Sequence, residues 1–157
     1  MERISETRFS SDETVNAALD RYLDENGFTH AAYEEAWTHA SFLGVPVAVP
    51  NTRLHKQGIR LHDLHHVATG YQTTWRGESE IAAWELAAGC GKFYAAWILN
   101  LGAFALGLVI APRRTLRAFA RGRRSTTLYR TGVPADLAVR DVAELRALLK
   151  LDAADRG

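Results

Sequence analysis

The chain has 157 residues, 47% of them hydrophobic and 24% charged, which is enough for one domain with its own buried core. Twelve Gly, four Pro and a single Cys exclude the collagen-like, low-complexity and disulfide-scaffold classes. The net charge of +1 averages unlike parts: Met1–Glu85 holds thirteen acids against seven Lys/Arg, Leu86–Ala135 holds eight Lys/Arg and no acid, and Asp136–Gly157 holds five acids against four Lys/Arg.

The opening residues lack an apolar signal region, and Cys90 has no intrachain partner. A cytoplasmic setting, peripheral to the inner face of a membrane, is expected. Ser11 and Asp12 precede a predicted helix over Glu13–Glu25, with Val15, Ala18, Leu19, Tyr22 and Leu23 at helical spacing and Gly27 as its stop. Thr29 is read as the cap of a second helix reaching about Phe42, with Ala32, Ala36, Trp37 and Ala40 along one side and Gly44 closing it. Val45–Asn51, with two prolines, reads as an extended connector with no strand to pair with. Ile59–Thr69 is a third helix capped by Gly70, Tyr71–Gly77 a polar loop, and Glu78–Gly89 a fourth helix. Phe93–Ala111 follows, nineteen residues without a charge; then come Pro112, a basic helix over Arg113–Arg121 and its stop at Gly122. Asp141 and Glu144 form a capping box for a last helix over Val142–Lys150, with Val142, Leu145 and Leu149 inward. The expected fold class is therefore all-α: a single-domain helical bundle over residues 1–157, with a metal site between two adjacent helices and a long apolar helix.

His62, Asp63, His66 and Glu78 are metal-binding residue types within seventeen positions. At about 100° per residue, His62 and His66 lie one turn apart, with Asp63 about 60° beyond His66 on the same side. Glu78 starts the next helix, and an antiparallel return brings it opposite. Two imidazoles and two carboxylates suit a divalent ion, zinc first, with iron or cobalt as alternatives. The plain alternatives are a locally hydrogen-bonded histidine pair and a Glu78 that merely complements its helix dipole. His65, about 60° to the other side of His62, competes with Asp63 as a ligand or else lines the pocket. His39 and His55 read as surface or capping residues, although His55 is close enough in sequence to approach the site; His30, opening the second helix, reads as structural. A zinc-peptidase helix needs Glu where Asp63 stands. A phosphohydrolase of the HD type needs a later aspartate, and none occurs between Leu64 and Ala135.

The run His62-Asp63-Leu64-His65-His66-Val67-Ala68-Thr69-Gly70-Tyr71, with Gly77-Glu78 after it, resembles the Coq-four family of ubiquinone (coenzyme Q) biosynthesis proteins. The shared signature is HDxxH, eleven residues, then E, and the close match covers Ile59–Gly89. The resemblance implies an all-helical, membrane-associated protein with a divalent metal on His62, Asp63, His66 and Glu78. It implies work on a prenylated 4-hydroxybenzoate-derived ring, namely oxidative decarboxylation at C1, or organisation of the pathway enzymes as a lipid-binding scaffold. Two departures, a chain short for that family and His65 in place of an apolar or aromatic residue, would suit a relative recruited to another natural-product pathway. Asp63 and Glu78 are the candidate catalytic residues, as proton carriers if not committed as ligands.

Phe93–Ala111 would span about 28 Å as a helix, near the thickness of a bilayer core. Asn100, Gly102 and Gly107 argue against a membrane span; the preferred reading is a wall for an isoprenoid or aromatic substrate, and the alternative is a plain core helix with no ligand. Arg113, Arg117, Arg121 and Arg124 form one stripe, expected to meet an anionic membrane surface. Nucleic acid is not expected, because the four Trp are not interleaved with these arginines. A homodimer or a biosynthetic complex completes the expected partners.

Overall fold

The computed structural model describes residues 9–35, 37–42, 45–50 and 52–151. Among them are seven α-helices and one two-stranded hairpin, so the helical architecture holds with a local exception.

Helix α1 (Val15–Asn26) is capped by Thr14, whose hydroxyl accepts from the Ala17 N–H, and it ends on Gly27 at φ 70°. The five residues expected inward, Val15 to Leu23, are all buried. The second predicted helix is overturned. His30–Glu34 is a short 3-10 turn, and Trp37–Phe42 is strand β1, paired antiparallel with β2 (Val45–Pro50) from Trp37↔Pro50 to Phe42↔Val45. Trp, Thr and Phe favour a pleated strand, and the alanine spacing that suggested a helix carried no comparable preference. Prolines are tolerated in β2 because each strand of a two-stranded sheet has a free edge. Ala36, Gly44 and Asn51 lie outside the described residues.

Helix α2 (Arg53–Thr69) begins six residues earlier than expected, because the Thr52 hydroxyl accepts from the His55 N–H and supplies the cap. It ends at Gly70, φ 77°, as predicted. Helix α3 (Trp75–Ala88) starts from Thr74, whose hydroxyl accepts from the Gly77 N–H. A Cβ on Gly77 would stand 2.0 Å from the Gln72 carbonyl oxygen, so only glycine lets the loop fold back just before Glu78.

Helix α4 (Tyr94–Ile110), α5 (Pro112–Gly122), α6 (Leu128–Thr131) and α7 (Val142–Leu148) complete the chain, and α3 packs chiefly on α4 and α5. The apolar stretch thus yields a 17-residue helix, and no helix among the described residues is long and apolar enough to cross a membrane. Nor is α4 a core helix: Asn100 and Gly107 are its buried residues, while Val109, Tyr94 and Ile98 are 80%, 75% and 73% exposed. A Cβ on Gly107 would come within 2.6 Å of Ser79 Cβ and Thr115 Oγ1, which fixes where α4 crosses α3 and α5.

The core lies elsewhere, between α1, α2, α3, α6 and α7, around Leu19, Tyr22, Leu64, Trp84, Leu128 and Leu145. The Asp141/Glu144 capping box of α7 is present as expected, with Val142, Leu145 and Leu149 fully buried. Arg146 of the same helix is buried and bonds the carbonyls of Ala68 and Phe9 and the Ser11 hydroxyl.

Candidate metal centre

His62 and His66, one turn apart on α2, meet Glu78 from the first turns of α3. The two Nε2 atoms are 3.2 Å apart, and the Glu78 carboxylate oxygens lie 3.5 Å from His62 Nε2 and 3.4 Å from His66 Nε2. One ligand atom from each of the three residues falls within 4.8 Å of the others.

The other ring nitrogens decide what this arrangement is. His66 Nδ1 lies 2.8 Å from the Tyr71 carbonyl oxygen. A carbonyl only accepts, so this nitrogen carries the proton. The left-handed turn at Gly70 brings that carbonyl within reach, which gives the Gly70-Tyr71 pair after His66 a local reason. His62 Nδ1 lies 2.9 Å from Glu85 Oε1 and donates to it. Both Nε2 atoms therefore present lone pairs toward each other and toward a carboxylate. Three electron-rich groups converging at this range repel unless a cation, either a proton or a metal ion, sits among them.

Sequence reasoning missed Glu85. It lies seven residues beyond Glu78, hence within about 20° of it on α3, and that spacing was the available signal. Its carboxylate is wholly buried. Oε1 accepts from His62 Nδ1 and, at 2.7 Å, from His65 Nδ1; Oε2 accepts from Asn100 Nδ2 at 2.6 Å and from the Tyr129 hydroxyl at 3.3 Å. Four donors saturate one carboxylate. Burial alone would raise the pKa of Glu78 and of Glu85. His62 outweighs it at both, aided by His66 at Glu78 and His65 at Glu85, and both carboxyls are held well below the usual range. Burial alone would likewise lower His62, but Glu85 and Glu78 raise it well above its ordinary value. The two carboxylates thus supply two negative charges, which a divalent ion balances.

His65 is committed on both sides: Nδ1 donates to Glu85, and Nε2 accepts from the Leu128 N–H at 2.9 Å. Both ring nitrogens being taken, it is no competitor for a ligand position, and burial pushes its pKa down, toward the neutral form. Asp63 is brought near but not into the triad. It is buried and accepts from the hydroxyls of Tyr33 and Tyr22, and the Tyr22 ring stacks on His66 at 5.4 Å. Burial pushes its carboxyl up, against the opposing pull of His62, the Tyr33 hydroxyl and His66.

A cavity of about 380 Å³ opens beside the triad, between α2, α3 and α4. His62, Glu78 and Glu85 lie at its polar side, and Ile59, Phe93 and Leu99 are among its apolar walls. His55 also lines it, with its buried Nε2 lacking a partner among the described residues, whereas His30 pairs with Asp20 at 2.7 Å on the surface. Of the arginine stripe, Arg113, Arg117 and Arg124 are exposed. Arg121 turns inward, bonding the Thr69 carbonyl at 3.2 Å and lying over the Tyr71 ring. Neighbouring Arg114 forms a two-pronged pair with Glu80 at 3.0 and 2.8 Å.

Comparison of the chain with protein families, curated proteins and solved structures finds no match.

Proposed function

We propose that His62, His66 and Glu78 hold a divalent metal ion, zinc first, at the polar side of a cavity that takes a largely apolar aromatic or isoprenoid molecule. The observation that carries this reading is the pair of Nε2 atoms 3.2 Å apart, each ring held by a bond at Nδ1, with Glu78 facing both. Such orientation of imidazoles through Nδ1 is how proteins prepare them for a metal. The donor set of two nitrogens and one carboxylate leaves room for a further ligand, as in hydrolytic and Lewis-acid sites.

When bound, the ion would supply Lewis acidity toward an oxygen of the substrate ring or toward water. The chain's own contribution is orientation, exclusion of water by α4 and the handling of charge. Of the two candidate proton carriers, Glu78 lines the cavity and Asp63 does not. Glu78 is committed as a ligand in this reading and is held ionised, so the proton step is assigned to neither carboxylate, and Asp63 shapes the electrostatics behind His62 and His66. Through its signature, the resemblance to the Coq-four family points to a prenylated 4-hydroxybenzoate-derived ring and its oxidative decarboxylation at C1, with dioxygen as the external oxidant, since zinc accepts no electrons.

The exposed apolar face of α4 favours a second reading, a lipid-binding scaffold at an anionic membrane surface whose metal only ties α2 to α3. Metal analysis of the purified protein beside His62→Ala and Glu78→Ala is the first test. A stoichiometric ion lost in both variants supports the site, and unchanged metal content in both overturns it. A His66→Ala strain that accumulates a carboxylated ring intermediate favours the enzyme. One that loses only thermal stability favours the scaffold.

A further inference from the structure

The metal reading leaves Glu85 without a task, yet no carboxylate in the described structure is more completely enclosed. A buried carboxylate is expensive to desolvate and persists where every lone pair is met. Here two donors come from the metal-binding helix and two from elements that supply no ligand: Asn100 from the middle of α4, and Tyr129 from α6. Asn100 is also the polar interruption in an otherwise apolar helix, and it is one of the few α4 residues that are buried.

We propose that Glu85 is the positioning residue of the metal centre. It fixes the Nδ1–H form of His62 so that Nε2 faces His66 and Glu78, and it takes its own position from Asn100 and Tyr129 in the cavity wall. The inference rests on the metal reading and adds that affinity for the ion is set partly from α4. Oε1 receives both histidines, and Oε2 receives both wall residues, so the carboxylate bridges the two groups. Removing the Asn100 amide frees one oxygen to rotate toward solvent space in the cavity. The His62 bond then weakens without any change in the ligands themselves. His65, bonded on its far side by the Leu128 N–H, holds the carboxylate against movement along α2.

The test is zinc affinity by competition with a chromophoric chelator, with cobalt(II) absorption spectra as a second readout. Glu85→Gln keeps the shape but loses the charge and half the acceptor capacity; it is expected to bind zinc 10–100-fold more weakly and to shift the cobalt bands. Asn100→Leu, which touches no ligand, is expected to weaken zinc three- to tenfold, and Asn100→Gln to recover part of that loss. Leu145→Ala, a core change remote from the site, controls for lost stability and is expected to leave zinc affinity within twofold. Glu85→Gln within twofold of the wild type, or Leu145→Ala weakened as much as Glu85→Gln, overturns the proposal.

Nitrogen-15 spectra of the metal-free imidazoles separate this proposal from the metal reading. Recorded at alkaline pH, where both rings are neutral, His62 and His65 are expected to carry Nδ1–H in the wild type and to populate the other tautomer in Glu85→Gln. If the wild type takes up no zinc, the metal reading fails, and the tautomer result alone decides the positioning role. Unchanged tautomers there overturn it.

Discussion

Helices α3 and α4 pack along each other yet treat polarity in opposite ways. α3 hides Ser79, Glu80 and Glu85 in its buried face, whereas α4 leaves Tyr94, Ile98, Leu101 and Val109 at 62–80% exposure. Each inversion contradicts what folding alone favours, since buried charge must be compensated and exposed apolar area is left unused. On α3 the compensation is internal: Glu80 holds Arg114, and Glu85 has four donors. On α4 nothing within the described chain covers the apolar face. The two helices also share a wall of the one cavity beside the triad. A polar helix built inward and an oily helix built outward, meeting at a cavity, suit a site where a charged group and an apolar body are held together.

The sharpest way to break the α3 side is Glu85→Ala. It strands His62, His65, Asn100 and Tyr129 in the interior, so a loss of about 3–5 kcal/mol is expected in chemical denaturation. A loss under about 1 kcal/mol would mean that water or a rearranged side chain replaces the carboxylate. Ligand linkage comes next. At a thousandfold excess over its dissociation constant, zinc should stabilise the wild type by about 4 kcal/mol. Glu78→Ala should lose nearly all of that stabilisation. Asp63→Asn should keep most of it, because the Asp63 carboxylate serves Tyr33 and Tyr22 rather than the triad. Equal losses in the two variants would return Asp63 to the ligand set.

How far the sequence reached follows from the same contrast. Helical spacing alone put His62 and His66 one turn apart, and the Gly70 stop and the count to Glu78 placed the carboxylate opposite; those are local and near-local facts. Glu85 sits at an equally readable interval from Glu78, but its meaning depends on Asn100 and Tyr129, 15 and 44 residues further along the chain. No periodicity encodes such a meeting. The buried face of α1 was legible because five apolar residues repeat at helical spacing. Trp37–Phe42 was not, since its strand exists only through pairing with Val45–Pro50, an extended segment that had no strand to pair with once Trp37–Phe42 was read as helix. The apolar run of α4 announced a helix correctly but not its exposure, because hydropathy does not say which neighbours remain to cover it.

Acidity acts on the polar side in both directions. In the metal-free protein, Glu78 and Glu85 are depressed below 4.5, so their contribution is full above 4.5 and is lost as pH falls through their folded values. His65 and His55 are depressed below 6.5, so theirs is likewise present above 6.5 and lost on acidification. His62 is raised above 6.5; its contribution is full below 6.5 and is lost as pH rises through its folded value. Metal-free stability should therefore peak near neutrality and decline on both sides. Zinc should remove the alkaline decline, since it takes the place of the His62 proton. Melting temperatures across pH with and without zinc check this, and an alkaline decline that zinc leaves untouched would separate His62 from the ion.

The smallest expected effect on stability tests the apolar side. Ile98→Ser and Val109→Ser alter residues 73% and 80% exposed, so each should change unfolding free energy by less than about 0.5 kcal/mol. If the outer face of α4 meets a bilayer, the same pair should sharply reduce flotation with vesicles containing anionic lipid. Arg113→Glu with Arg117→Glu should reduce it too, and more strongly at low salt, where headgroup attraction is least screened. The two pairs thereby divide the work. A salt-insensitive loss in the serine pair assigns binding to apolar insertion, and a salt-dependent loss in the glutamate pair assigns it to the exposed arginines. Flotation unchanged in both would leave the α4 face to a protein neighbour, and α4 would then be oily for the same reason that α3 is polar: to complete a surface that the chain does not finish alone.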